Sequence, residues 1–321
     1  QGAGKLLLFG EHAAVYGYPA LGMALPWETR VSLAPSGKRE WELPELLPEE
    51  GTNLRKLIDF VTAHFPAVKK LGGMKVTIES DIPISMGFGS SAALCVAVVK
   101  ALVILVAGKV LPERMARGLS RPLDLVWKLA NRAERIFHGR PSGIDTGLSL
   151  MGDIRSFEFA GRGLPRNEAL KAHPFYLVVG GVPRESNTRA LVGTIAERMA
   201  AGDAVTGEGI RSLGSLTGEA ITLLRHGRDG VAGELGLLAD RAQEKLASLG
   251  LSSPGLETIL EQGRRAGAAG GKLSGAGGGG AFFLVAESRE RALSVAAALR
   301  ESAPAGTLPV VMGAGWSGVL L

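Results

Sequence analysis

Residues 85–93 read S-M-G-F-G-S-S-A-A and open directly onto a long apolar run. Side chains this small bury little surface, so the stretch is not a core element in its own right. It marks a place where something comes close to the backbone. Backbone N–H groups reach an anion only where no Cβ stands in the way, and a helix N-terminus adds unsatisfied donors and a favourable dipole. Gly87, Gly89, Ser90, Ser91 and Ala92 supply that combination ahead of an apolar helix expected over about 91–106. Ser90 and Ser91 are its natural caps. The alternative is a tight strand-to-helix turn closed by a capping serine.

The remaining pattern mixes both kinds of element. K-L-L-L-F (5–9) reads as a short buried strand and G-M-K-V-T-I-E (73–79) as a half-buried one. A second helix is expected over about 122–137, and P-F-Y-L-V-V (174–179) as another buried strand. Helical patterns then dominate from 188 to about 266, broken at Ser253-Pro254. A strand (281–285), a helix (290–300) and a final strand near 308–312 follow. The expectation is an α+β protein of two lobes, residues 1–182 and 183–321.

Composition narrows the function classes. The 321 residues are 46% hydrophobic and 21% charged, enough for a sizeable core. A net charge of +5 suits anionic substrates such as nucleotides. Nucleic acid is not expected as a partner, because only 5% of residues are aromatic and no concentrated basic stripe appears. The single cysteine, Cys95, lies in the apolar helical run and reads as a buried, inert thiol. It excludes internal disulfides and cysteine-rich zinc sites, and fits a reducing, cytoplasmic compartment. No apolar stretch reaches the roughly 18 residues of a membrane span, and no signal core is visible. The chain starts at Gln1 without Met, so a few residues are expected to precede it.

Two familiar phosphate loops fail. The G-x-x-x-x-G-K-[ST] pattern is missing. Gly275, Gly277 and Gly280 match G-x-G-x-x-G, but a helix precedes them and a strand follows, the reverse of the dinucleotide-binding order. There is no G-x-S-x-G elbow for a serine hydrolase. Phosphoryl transfer also needs a cation, and Mg²⁺ is typically held by few protein oxygens plus substrate phosphates. Ser91 and Glu134 are candidates, although composition alone favours Glu134 as an exposed helical acid pairing with nearby arginines. Asp145, closing H-G-R-P-S-G-I-D, is either a loop aspartate capping the next element or an acceptor for a hydroxyl proton. Lys5, on a strand facing such a site, could lower that hydroxyl's pKa or neutralise developing charge. His138 is expected to be a structural hydrogen-bonding partner.

Three separated stretches, G-K-L-L-L-F-G-E-H-A-A-V-Y-G, P-I-S-M-G-F-G-S-S-A-A and K-L-S-G-A-G-G-G-G, resemble the three motifs of the GHMP small-molecule kinases in order and spacing. Within that family G-E-H-A-A-V-Y-G, E-R-I-F-H-G-R-P-S-G-I-D and S-N-T-R-A-L-V are most similar to the branch that phosphorylates mevalonate. The resemblance implies the two-lobed GHMP fold with the active site in the cleft between lobes, and phosphorylation of (R)-mevalonate by ATP in isoprenoid precursor synthesis. Pro83 to Ala92, with Met86 and Phe88 at its centre, would wrap the triphosphate. Ser91 and Glu134 match the family's Mg²⁺ ligands, Asp145 its catalytic carboxylate and Lys5 the lysine beside it. Glu11, His12, Ser142, Gly143 and Thr188 match acceptor-side positions. Gly275, Ala276 and Gly277 would pack against the phosphate loop and the acceptor. A homodimer is compatible with the family, and no membrane association is implied.

Three departures stand out: Ala3 where proline is usual, S-M-G-F-G where G-A-G-L-G is usual, and Arg140 where asparagine is commoner. Other acceptors within the family (phosphomevalonate, galactose, homoserine) are the nearest rivals. Galactokinase's G-E-H-T-D-Y does not occur here. A non-catalytic ligand sensor on the same fold is the rival from another class, and it typically lacks part of the set Lys5, Ser91, Glu134 and Asp145.

Overall fold

The computed structural model describes residues 1–38, 40–45, 48–65, 68, 72–109, 122–161, 163–185, 188–227, 229–302 and 309–314. It divides into two compact units that interleave along the chain. The first holds Gln1–Lys5, Ala24–Pro83 and Gly89–Gly152, and the second Leu6–Met23, Ile84–Phe88 and Asp153–Leu321. The chain thus changes unit inside a strand at Lys5–Leu6 and inside the glycine loop at Phe88–Gly89. The division does not follow the expected boundary at 182, which falls within the second unit.

In the first unit, strand β1 (Gly2–Phe9) contributes its opening residues, and the outer part of β2 (Ala20–Pro35) pairs antiparallel with β3 (Met74–Ser80). Helices α1 (Pro48–His64), α2 (Ser90–Lys109) and α3 (Pro122–Ala133) share one core. That core joins Leu54, Leu57, Ile58 and Val61 of α1 to Val96, Val99 and Leu102 of α2, and to Val126, Leu129 and Ala130 of α3. Residues 95–99 of α2 are fully buried. A segment apolar on every face is stable only when surrounded, so burial rather than propensity makes this valine-rich stretch helical. Cys95 is buried as expected. A 3-10 turn, Glu134–Ile136, ends the second expected helix, and α4 (Ile144–Met151) follows the H-G-R-P-S-G turn.

In the second unit, the inner residues of β2 pair with β4 (Ile154–Glu158), which pairs with β5 (Arg166–Ala169). A separate antiparallel sheet has the order β7-β8-β6-β9, formed by β6 (Phe175–Val182), β7 (Gly270–Leu273), β8 (Gly280–Ala286) and β9 (Val310–Ala314). Strand β8, G-A-F-F-L-V-A, is buried throughout, which is why it reads as an unbroken apolar run. The long helical stretch resolves into α5 (Thr188–Ala200), α6 (Ala204–His226), α7 (Val231–Ser248) and α8 (Pro254–Arg265). Helix α9 (Arg289–Ser302) completes the set. Asp203 caps α6 by accepting from the Val205 and Thr206 N–H groups. Ser253 caps α8, with Pro254 in the first turn.

β7 is an edge strand, and an exposed edge leaves N–H groups unpaired. Here α7 supplies the missing acceptors. Asp240 Oδ1 accepts from Gly271 N–H at 2.9 Å, and Gln243 Oε1 from Leu273 N–H at 2.9 Å. Among the described residues no helix is long and apolar enough to cross a membrane.

Candidate active site

The first unit gathers four of the expected residues. Lys5, 6% exposed, projects from β1, and its Nζ lies 3.2 Å from Asp145 Oδ2. Asp145 is the second residue of α4, not a loop cap. The turn before it is fixed from inside: Trp127 Nε1–H donates to Gly143 O at 2.9 Å and Thr146 Oγ1–H to the same carbonyl at 3.3 Å. Ser142 Oγ accepts from Ile144 N–H at 3.3 Å. These bonds present the Asp145 carboxylate, whose side chain stays 37% exposed, beside a nearly buried ammonium.

Glu134 departs from the exposed helical acid that composition favours. It is 2% exposed, and its Oε2 finds no hydrogen-bond partner among the described residues. Burial, seconded by the negative charge of Asp145 and opposed by Lys5, pushes its carboxyl up to about 8. One ammonium thus faces two carboxyl groups, one of them sealed from water. Ser91 stands at the start of α2, its Oγ 3.2 Å from His138 Nε2, so His138 is a hydrogen-bonding partner as expected.

The glycine loop has internal reasons for its small residues as well. Gly89 has φ +79°, and a Cβ there would fall 2.6 Å from Lys5 Cγ. The lysine stem therefore crosses the loop where bulk is excluded. In the second unit, Arg184 Nε–H donates to Ser85 O at 3.1 Å and its guanidinium lies against Gly87, while Met86 packs on Gly181. Phe88 and Ala92 are buried, so neither side chain is presented to a ligand. Arg184 was not singled out by sequence because a lone arginine after P has no signature of its own.

The second unit brings the first and third motifs together. His12, with φ +56°, donates from Nε2–H to Ala276 O at 3.1 Å. Burial holds its ring below the usual imidazole range, so the neutral form keeps a free lone pair on Nδ1. The Glu11 carboxylate is bonded to Lys272 Nζ. Lys272, which sequence reading passed over inside G-G-K-L-S-G-A-G, is fully buried. Burial drives the Glu11 carboxyl up and the Lys272 ammonium down, each opposed by the charge of the other. Thr188 opens α5, and its side chain lies outside the described residues.

Two family models match the chain: "GHMP kinases N terminal domain" over residues 54–153 and "GHMP kinases C terminal" over 220–305. The chain belongs to the GHMP kinases. Members of this family use ATP as phosphoryl donor. The mevalonate kinase of Thermococcus sibiricus is 27% identical over 333 residues, covering 96% of this chain and 93% of the relative. That of Methanothermobacter thermautotrophicus is 29% identical over 282 residues, 87% of each chain. Among solved structures, L. major mevalonate kinase in complex with R-mevalonate matches this GHMP kinase with TM-score 0.81 at 24% identity. The match covers 97% of this chain and 94% of that one. The two-domain GHMP architecture expected from the motifs is therefore the one observed.

Proposed function

We propose that this GHMP kinase transfers the γ-phosphoryl group of ATP to the primary alcohol of (R)-mevalonate, giving 5-phosphomevalonate and ADP. The observation that carries the reading is the Lys5–Asp145 pair at 3.2 Å, an open carboxylate held against a buried ammonium. Relatives over nearly the full length that are named mevalonate kinase support the choice of acceptor.

Each residue then has a task. Asp145 accepts the proton of the alcohol as it attacks the γ-phosphorus in line. Lys5 fixes that carboxylate and offsets negative charge gathering on the acceptor oxygen and phosphoryl group. The loop Pro83–Ala92 contributes backbone N–H groups at the start of α2 to the phosphates. His12, through its Nδ1 lone pair, and the backbone of Gly275–Gly277 orient the acceptor.

A divalent cation fits the first unit. Glu134 Oε2 is an orphaned buried oxygen, and two carboxyl groups share one ammonium. Among the described residues no three His, Cys, Asp or Glu side chains gather to form a dedicated metal cage. Mg²⁺ suits such a sparse donor set, taking Ser91 Oγ and Glu134 and completing its shell elsewhere. When bound, the ion neutralises charge on the phosphates.

The test is ADP release with Mg-ATP and mevalonate, phosphomevalonate, galactose or homoserine in parallel. Turnover with mevalonate alone is expected. Turnover with another acceptor and none with mevalonate would overturn the assignment.

A further inference from the structure

Lys272 has no exposed atom and touches no solvent, yet it carries a charge. Burying an ammonium is costly unless each donor is satisfied. Its three donors are: Nζ donates to Leu8 O at 3.1 Å, to Leu273 O at 2.7 Å and to the Glu11 carboxylate. The rings of Phe9 and Phe283 flank it, with centroids 5.6 and 5.5 Å away. Next to it, Leu7 N–H donates to Ser274 Oγ at 3.1 Å.

These bonds run in register. Leu7 and Leu8, at the end of β1, are tied to Ser274 and Lys272 at the end of β7. Glu11 is tied to Lys272, and His12 to Ala276. The far edge of β7 is held by Asp240 and Gln243, so the strand cannot slide to relieve a lost bond. His12 itself sits at positive φ, a conformation that persists only where neighbours over-determine it. The Glu11 side chain, 1% exposed, cannot reach a ligand.

We propose that Lys272 and Glu11 form a sealed positioning pair that locks the Glu11–His12 turn to the Gly275–Gly277 loop, presetting the surface that receives the phosphoryl acceptor. Neither residue touches the acceptor. The pair acts through His12 and the loop backbone, and its effect falls on the acceptor rather than on the nucleotide. The acceptor part of this inference rests on the function proposed above.

The test uses the intact chain carrying Glu11→Gln together with Lys272→Met, which removes both charges at nearly constant volume. Kinetics and ligand-free amide exchange are read side by side. KM for mevalonate is expected to rise at least tenfold, with kcat changed less than threefold and KM for ATP less than twofold. Exchange in segments 10–14 and 274–278 should quicken at least tenfold, while the core of α2 stays protected. Unchanged mevalonate KM and unchanged exchange in the folded variant would overturn the proposal, as would an equal rise in the KM for ATP. Should the double variant not fold, Glu11→Gln alone keeps an acceptor oxygen for Lys272 Nζ but removes the negative charge. A threefold rise in mevalonate KM is then expected, and no change overturns it. If the wild-type protein leaves mevalonate untouched, the assigned function fails, whereas the exchange pattern still decides whether the pair locks the loop.

Discussion

Two lysines that are buried among the described residues, Lys5 and Lys272, make a controlled comparison. Each faces a carboxylate, and each lies next to a glycine-rich motif. At Lys5 the partner, Asp145, keeps 37% of its side chain exposed. At Lys272 the partner, Glu11, is 1% exposed and the lysine not at all. The Asp145 carboxylate, open to solvent, can exchange a proton with a ligand, while the Glu11 carboxylate is enclosed and already occupied by Lys272. Under the roles proposed above, the same chemical pair serves reaction in one unit and registration in the other, and accessibility separates the two.

The largest expected effect breaks the open pair. Asp145→Asn should lower kcat by roughly 10² to 10⁴-fold, the usual contribution of a positioned general base. ATP affinity measured by calorimetry should stay within about threefold of wild type. Loss of nucleotide binding would show that the carboxylate supports the loop instead of the chemistry.

Breaking the sealed pair should register as stability. Lys272→Met leaves a carboxylate buried without its ammonium, a loss on the order of 3 to 5 kcal/mol. Lys5→Met leaves Asp145 in contact with water, and its cost should be closer to about 1 kcal/mol. Urea unfolding of the two variants measures the difference directly. Equal losses would erase the distinction drawn between the pairs.

Glu134 sharpens the comparison by pH. Its folded-state carboxyl lies near 8, against an ordinary 4.5. The folded protein therefore holds a proton that the unfolded chain has released, and stability should fall as pH rises from about 5 to about 8. The melting temperature of the metal-free protein at pH 8.5 should be several degrees below that at pH 6. Glu134→Gln should flatten this slope. Mg²⁺ should raise the melting temperature of the wild type more at pH 8.5 than at pH 6, and lose that effect in the variant. A slope unaltered by Glu134→Gln would place its source elsewhere.

The elements most legible in sequence were those whose pattern admits one environment. K-L-L-L-F, P-F-Y-L-V-V and A-F-F-L-V are strands buried on both faces, and the apolar run after Ser91 is a buried helix. The sixteen residues of β2 escaped because Gly22, Pro26 and Pro35 interrupt their alternation with breaker signals. Helix α1 escaped although Leu54, Leu57, Ile58 and Val61 keep helical spacing, since Gly51 and the prolines before it suggest a loop. In the site, residue types and their order pointed to Lys5, Asp145, Ser91 and Glu134. Burial could not be read in the same way. Nothing in E-R-I-F-H states that Glu134 is sealed, because the neighbours that cover it come from elements distant in sequence. Lys272 was hidden for the same reason, standing in a glycine motif where a charged residue reads as exposed.

The smallest expected effect separates the two glycine motifs themselves. Gly89 and Gly275 both have positive φ, +79° and +93°, so alanine carries a similar backbone penalty at each, about 1 to 2 kcal/mol. Their surroundings differ. A Cβ at 89 would meet Lys5 Cγ at 2.6 Å, whereas one at 275 would meet nothing within 4 Å. Gly89→Ala should therefore displace the lysine stem from Asp145 and lower kcat about tenfold, a barrier change near 1.4 kcal/mol. Gly275→Ala meets no protein atom, so any loss beyond its backbone penalty reports a ligand approaching that point. Its signature should be a twofold to fivefold rise in the KM for mevalonate at nearly constant kcat. If Gly275→Ala lowers kcat as much as Gly89→Ala, then the third motif reaches the reacting atoms, and the division between a reacting pair and a registering pair is too sharp.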